Sequence, residues 1–195
     1  FLCLTVAIAV FSSPGWLQGS ERVDDAVLRR TTLATTALIY LQILIGATMR
    51  HTHAGLAIPD FPLMFGGIIP DHWDSGIAIH FAHRVGALVV ALAVLATAGR
   101  TWSVHLRRRG IARPAAWLAA LLFVQIVLGA FTVWSRRAVW INSAHVVCGA
   151  LVLATSLVLT LRSWRVKFAD RPVERGPDPA SAARQVGLPG ERVRA

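Results

Sequence analysis

Residues 77–98 read IAIHFAHRVGALVVALAVLATA, and this stretch decides the fold. It contains no Asp, Glu or Lys. As a helix rising 1.5 Å per residue it reaches roughly 33 Å, close to the ~30 Å hydrocarbon core of a bilayer. Three further stretches share this length and character, namely residues 32–49, 114–134 and 141–161. We therefore predict an all-α integral membrane protein in which four spans form an antiparallel four-helix transmembrane bundle.

The composition supports a membrane protein and explains the charge. The chain of 195 residues is 55% hydrophobic, with a mean hydropathy of +0.56 and a formal net charge of +10. The basic residues concentrate in segment 100–113 and in the tail that begins at Arg162. The positive-inside rule places both segments, and so the C-terminus, in the cytoplasm of a multi-pass membrane protein. The charge thus indicates topology, and we expect no nucleic-acid partner.

The spans divide the chain into four predicted parts. Residues 1–13 are interpreted as the end of a truncated transmembrane helix, because the apolar run is too short to cross a bilayer. Residues 14–31 form a cytoplasmic linker, and residues 32–165 form the bundle. Residues 166–195 are rich in Pro, Gly, Asp and Arg, which predicts a disordered cytoplasmic tail.

Two histidines occupy matching apolar frames, AHRVGALV around His83 and AHVVCGALV around His145. Each lies a few residues into a span that runs from the outside inwards, so the two are at similar depth on parallel helices. An ionisable residue inside a membrane is costly and marks a functional site by default. The pairing predicts two axial ligands of one metal centre in a planar macrocycle. For either histidine alone, snorkelling or a bond between helices remains an alternative.

An internal repeat supports the pairing. Residues 42–47 read QILIGA and residues 125–130 read QIVLGA, and each copy precedes a loop and a histidine frame. Two such units give a bundle with approximate twofold symmetry. We interpret the repeated Gln and Gly mainly as helix packing, because small residues let helices approach closely. Gly86 and Gly149, about one turn beyond each histidine, leave room for a flat ring.

Haem suits this ligand set better than other metal centres. A di-iron site needs core glutamates, and the spans contain none. Zinc needs three or four ligands, whereas haem iron needs only the axial ones. No Cys-x-x-Cys-His occurs, which excludes a c-type attachment.

The remaining polar candidates are assigned by position. His80 precedes His83 by one turn, and three roles remain open for it. It contacts a haem propionate, it supports the ligand His83, or it simply lies at the membrane interface. Arg84 is predicted to pair with a haem propionate as a charge-assisted contact, with a lipid phosphate as the alternative. We expect no chemistry from the other histidines, which are His51, His53 and His72 in the outer loop and His105 in the Arg-rich cytoplasmic loop.

Three motifs together resemble the haem A synthase family. Residues 49–62, MRHTHAGLAIPDFP, resemble the first outer loop of one half of such a protein, with its Gly-Leu-x-x-Pro-Asp-[Trp/Phe]-Pro motif. Residues 80–84, HFAHR, resemble the ligand motif that ends in His-Arg, and His145 matches the histidine that opens the fourth helix. The resemblance covers about residues 1–164.

The resemblance implies a function and an architecture. Members have eight transmembrane helices in two halves and oxidise a ring methyl of haem O to the formyl group of haem A, for cytochrome oxidase assembly. The family's catalytic half has a glutamate where this chain has His80. The chain therefore resembles the C-terminal half, which holds haem b through His83 and His145 and offers no catalytic residue. The loop also lacks the cysteine pair of many relatives.

The implied partners are the bilayer, haem, haem O synthase and an electron acceptor, and a homo-oligomer stays open. We expect the fragment alone to be inactive. A b-type cytochrome that carries electrons without substrate chemistry is the main alternative, and a haem-free structural membrane protein is a third.

Overall fold

The computed structural model describes residues 1–17 and 23–165. Within them lie six α-helices and one 3-10 turn, Ala54–Leu56. The helices are α1 (Leu2–Phe11), α2 (Pro14–Leu17), α3 (Ala26–His51), α4 (Ser75–His105), α5 (Arg109–Trp134) and α6 (Val139–Trp164). Helices α3 to α6 are long and apolar enough to cross a membrane. This confirms the all-α membrane fold. The predicted disordered tail, 166–195, and linker residues 18–22 lie outside the described residues.

The four long helices close into a ring. Contacts join α3 to α4, α4 to α5, α5 to α6 and α6 back to α3. The loop between α4 and α5 and the loop between α5 and α6 contain only a few residues, so the helices that they join run antiparallel. Helix α1 packs against α6. Leu28, Leu118 and Leu159 are fully buried inside the ring, whereas large apolar side chains such as Phe123 lie on its outside, as a lipid-facing surface requires.

Each predicted span lies inside a longer helix, and at the starts of α3 and α4 a capping side chain that the hydrophobic pattern does not register extends the helix. Helix α3 begins at Ala26, where the Asp25 carboxylate accepts a hydrogen bond from Leu28 N at 2.9 Å. The carboxylate of Asp74 caps α4 in the same way. Helix α4 also continues to His105, so this residue is the buried end of a helix and not part of a loop.

A proline inside α5 is matched by an arginine from α6. Pro114 has no N–H, so the carbonyl of Gly110, four residues earlier, loses its helical donor. Arg162 supplies the missing bond, with Nη1 at 2.7 Å from the Gly110 oxygen. Because a lost backbone bond is expensive in a bilayer, this contact joins α5 and α6 near one end of the bundle.

Hydroxyl pairs fasten α3 to its neighbours at that same end. Interhelical bonds of this kind contribute on average about 0.6 kcal/mol each in membrane proteins. The pairs are Thr32 with Ser163 (3.0 Å), Thr35 with Thr97 (2.9 Å), and Thr36 with both Ser156 (2.7 Å) and Thr160 (2.8 Å).

A buried carboxylate completes this end. Asp25 contacts Nε2 of His105 at 2.9 Å and two guanidinium nitrogens of Arg100 at 3.1 and 3.3 Å. Burial opposes ionisation, but the hydrogen bonds from Leu28, His105 and Arg100 outweigh it and hold the pKa of Asp25 well below its ordinary value. The carboxylate is therefore ionised, and it ties the start of α3 to the end of α4.

Candidate functional site

His83 lies on α4 and faces α3. The Nε2 amide of Gln42 lies 3.0 Å from Nδ1 of His83 and donates a 2.7 Å hydrogen bond to the His83 carbonyl oxygen. The imidazole lies flush against Gly46, where an added Cβ would come within 3.0 Å of Cε1 of the ring. The α3 segment that carries the repeat therefore positions this imidazole through one amide and one glycine.

His145 has similar surroundings on the second helical hairpin, but the amide there contacts the other ring nitrogen. Nε2 of Gln125, on α5, lies 3.3 Å from Nε2 of His145 on α6. A Cβ added at Gly129 would lie 3.3 Å from Cε1 of the ring. The other ring nitrogen, Nδ1, is buried without a hydrogen-bond partner among the described residues.

The repeat thus produces two corresponding sets, each with a histidine, a glutamine and two glycines. The second glycine of each set follows the histidine and lies against the amide. A Cβ added at Gly86 would lie 2.2 Å from Gln42 Oε1, and a Cβ added at Gly149 would lie 3.2 Å from Gln125 Nε2. The sequence pattern did not reveal the glutamine–imidazole contacts. Their signal was nevertheless present, because each glutamine precedes a glycine by four residues on the helix before a histidine.

An electrostatic interaction between His83 on α4 and His145 on α6 indicates that the two imidazoles lie near each other. No group of three or more His, Cys, Asp or Glu side chains assembles in the described part of the chain. Cys148 turns away, since its Sγ contacts the carbonyl of Leu121 at 3.5 Å. The described part of the chain therefore brings two imidazoles near each other here without a larger group of metal-binding side chains.

His80 and Arg84 contact the loop 52–74, which joins α3 to α4. Nδ1 of His80 lies 3.2 Å from Ile58 N, and its Nε2 lies 3.2 Å from Nε of Arg84. A neutral imidazole accepts at only one nitrogen, so these two donors compete. Arg84 also donates to the carbonyl oxygens of Leu63 (2.9 Å), Asp60 (2.7 Å) and Ile58 (3.2 Å).

Aromatic contacts hold the same loop against α5. The Arg84 guanidinium lies over the ring of Phe61, 5.6 Å from its centroid. Trp134, at the end of α5, packs edge-on against this ring at 6.0 Å and donates from Nε1 to the Phe61 carbonyl at 3.3 Å. The loop is consequently bound both to α4, one residue from His83, and to the end of α5.

Asp60 organises the loop from within. Its two carboxylate oxygens accept hydrogen bonds from Phe65 N and Gly66 N, each at 2.9 Å. These bonds, first from Gly66 and then from Phe65, hold the pKa of Asp60 below its ordinary value. The Pro-Asp-Phe-Pro segment thus has a defined structure, in which the aspartate shapes the turn.

The other histidines lie away from this site. His51, His53 and His72 are exposed, and His72 contacts the neighbouring Asp71 at 2.6 Å. His105 belongs to the Asp25 cluster at the opposite end of α4. The structure therefore brings together His83, His145, His80 and Arg84, and it separates them from the remaining imidazoles.

Comparison with known proteins gives a consistent family. A family model described as "Cytochrome oxidase assembly protein", COX15-CtaA, matches residues 1–157. The "Heme A synthase" of Rhodopseudomonas palustris (strain BisA53) is 32% identical over 179 residues, which cover 83% of this chain and 49% of that protein. That of Parvibaculum lavamentivorans is 32% identical over 167 residues, 77% of this chain and 46% of the relative.

A third relative of the same name, from Methylobacterium sp. (strain 4-46), is 33% identical over 176 residues, 79% of this chain and 48% of its own length. The chain spans about half the length of the curated relatives it matches.

Proposed function

This chain belongs to the cytochrome oxidase assembly protein family, and from that premise we propose that it is the haem b-binding half of a haem A synthase. The observation that carries the proposal is the pair of corresponding histidine sets on two adjacent hairpins. His83 and His145 are the proposed axial ligands of the iron. When bound, the haem supplies an iron centre that exchanges electrons.

The residues present fit such a group. Each imidazole has one nitrogen beside a glutamine amide, so the opposite nitrogen is the one offered to iron. At His145 that nitrogen is buried and has no partner among the described residues. A metal ligand of this kind normally has its second ring nitrogen hydrogen-bonded, because that bond fixes the orientation of the ring.

We propose that His80 and Arg84 act at the edge of the same site. Their contacts hold the loop 52–74 beside His83. A guanidinium has five N–H groups. The loop offers Arg84 three carbonyl acceptors, and His80 offers a fourth only when it does not accept from Ile58 N. At least one N–H, with its positive charge, is left for a haem propionate.

The activity of the whole protein is also a proposal, since the chain covers about half of its relatives. We propose that the complete enzyme oxidises the ring methyl of haem O to a formyl group, receives haem O from haem O synthase and passes electrons to an acceptor. Helices α3 to α6 contain no Asp or Glu. No carboxylate on them is available to stabilise charge that develops on the methyl group, so this half alone leaves haem O unconverted.

The same lack of acids favours one alternative, a b-type cytochrome that only carries electrons. Both functions use the same two ligands, and they differ in whether an upstream half with a catalytic glutamate accompanies this one. For either function we propose a bacterial plasma membrane, with the end of the bundle at segment 100–113 in the cytoplasm and the loop 52–74 outside, because basic residues favour the cytoplasmic side.

The ligand proposal is tested by absorption and EPR spectra of the chain purified in detergent with haem. Wild type should bind about one haem b per chain with a low-spin bis-histidine spectrum. His83→Ala and His145→Ala should each give a high-spin or haem-free protein. His53→Ala, which alters an exposed loop histidine, is the matched control and should resemble wild type. A low-spin wild-type spectrum in both ligand variants would refute the assignment.

A separate experiment tests whether this half alone converts haem O to haem A. Cells that supply haem O should yield a chain with bound haem but no haem A when the extracted pigments are separated by chromatography. A haem A peak from this chain would show that the chemistry resides in this half.

A further inference from the structure

Two amide oxygens inside the bundle have no hydrogen-bond partner among the described residues, Oε1 of Gln42 and Oε1 of Gln125. Each belongs to a side chain whose Nε2 contacts a proposed ligand imidazole. Burying an unpaired polar group costs about 1–3 kcal/mol. The same cost at two positions related by the repeat indicates that these oxygens have a use that this arrangement of the amides does not show.

The chemistry of imidazole suggests that use. A neutral ring has one N–H donor and one accepting nitrogen. As arranged here, Gln42 directs its N–H groups at Nδ1 and at the carbonyl of His83, so Nδ1 accepts and Nε2 carries the proton. A ring that binds iron through the nitrogen away from its amide, Nε2 of His83 or Nδ1 of His145, carries its proton on the nitrogen beside the amide. That proton needs a hydrogen-bond acceptor, and the neighbouring glutamine has one in its amide oxygen, Oε1.

Resting on the proposed function, we propose that Gln42 and Gln125 are positioning residues that change from donor to acceptor when iron binds the imidazole beside them. Rotation of the amide about its last side-chain bond exchanges Nε2 for Oε1. For Gln42 this rotation gives up the 2.7 Å bond to the His83 carbonyl, so it is favourable only when Nδ1 carries a proton. The accepting oxygen then fixes the ring and increases electron donation to the iron.

The glycines beside the amides leave room for this change. A Cβ at Gly86 would lie 2.2 Å from Gln42 Oε1, closer than real side chains approach. At Gly149 the corresponding distance to Gln125 Nε2 is 3.2 Å. Any side chain at Gly86 would displace the amide, and one at Gly149 would restrict its rotation. The second glycine of each set thus serves the glutamine as well as the packing of helices.

The test compares Gln42→Leu, Gln125→Leu and Gln42→Glu with wild type in the purified, haem-loaded chain. The readouts are haem affinity, the reduction potential and the low-spin EPR signal. Both leucine variants should keep bis-histidine ligation, bind haem about 10–100-fold more weakly and have a higher potential. Gln42→Glu should lower the potential, because a carboxylate accepts the Nδ1 proton more strongly.

Thr36→Val is the matched control, since it removes interhelical hydrogen bonds from the same helix, away from the imidazoles. It should leave the potential at the wild-type value. The opposite shifts for Leu and Glu cannot arise from general loosening of the bundle. A haem-loaded, low-spin protein whose potential and affinity are the same in all four variants would overturn the role of the glutamines and leave the function intact. A wild-type chain that binds no haem would overturn the proposed function itself.

Discussion

The substitution Gly86→Ala tests the packing of the first histidine set directly. The added methyl would lie 2.2 Å from Oε1 of Gln42, so this flexible side chain must swing away from α4. Its contacts at 3.0 Å with Nδ1 and at 2.7 Å with the carbonyl of His83 are then lost. At about 0.5–1.5 kcal/mol each, the two bonds amount to roughly 1–3 kcal/mol.

A control within the same helix isolates this loss. Gly99 also lies in α4, and a Cβ there would meet nothing within 4 Å. Both substitutions gain about 1 kcal/mol of helix propensity, so this gain cancels between them. Gly86→Ala should therefore be less stable than Gly99→Ala by roughly 1–3 kcal/mol.

The comparison is made by thermal or denaturant unfolding in detergent, followed by circular dichroism, with the haem spectrum recorded alongside. Gly149→Ala should fall between the two, because its Cβ would lie 3.2 Å from Gln125 Nε2. Equal stability of Gly86→Ala and Gly99→Ala, together with an unchanged haem spectrum, would show that Gln42 does not occupy the space between α3 and α4.

Three further substitutions address other parts of the bundle. Asp25→Ala should lose about 3–5 kcal/mol in unfolding measurements and Asp25→Asn less, because asparagine still caps α3. The wild type should then lose more stability than either variant as the pH falls below about 4, since the unfolded carboxylate of Asp25, with a pKa near 3.8, takes up its proton before the folded one. Arg84→Lys should loosen the loop, seen as faster proteolysis between 52 and 74, because an ammonium cannot reproduce the forked contacts; proteolysis at the wild-type rate would contradict this. Arg162→Leu should destabilise the chain by about 1–3 kcal/mol, and by clearly less in a Pro114→Ala background, where the Gly110 carbonyl regains its helical donor; equal losses would exclude the proposed compensation.

The membrane fold follows from the sequence, because it depends on a pattern that a bilayer enforces. A run of about 20 apolar residues without acids has few alternatives to a spanning helix. The pairing of His83 and His145 as ligands stays a prediction. The predicted spans 32–49, 77–98, 114–134 and 141–161 all lie within observed helices.

Contacts that depend on single polar atoms were not predictable in this way. The extension of α4 to His105 depends on a carboxylate eighty residues earlier in the chain, Asp25. The contacts of Arg84 with loop carbonyls depend on how the segment 58–63 folds back, which no periodicity encodes. The glutamine–imidazole contacts were partly predictable. The repeat in the sequence identifies Gln42 and Gln125, but it does not show that they contact the histidines.

The histidine sets have a consequence for how the site is assembled. Each is complete within one hairpin, α3–α4 or α5–α6, because Gln42 and His83 come from the first and Gln125 and His145 from the second. The second hairpin therefore repeats the pattern of glutamine and histidine found in the first. A single hairpin that paired with itself about a twofold axis would present two identical imidazoles to one planar group. Because the two hairpins of this chain differ in sequence, the two sides can be unequal, and each face of the proposed haem would then be tuned independently of the other.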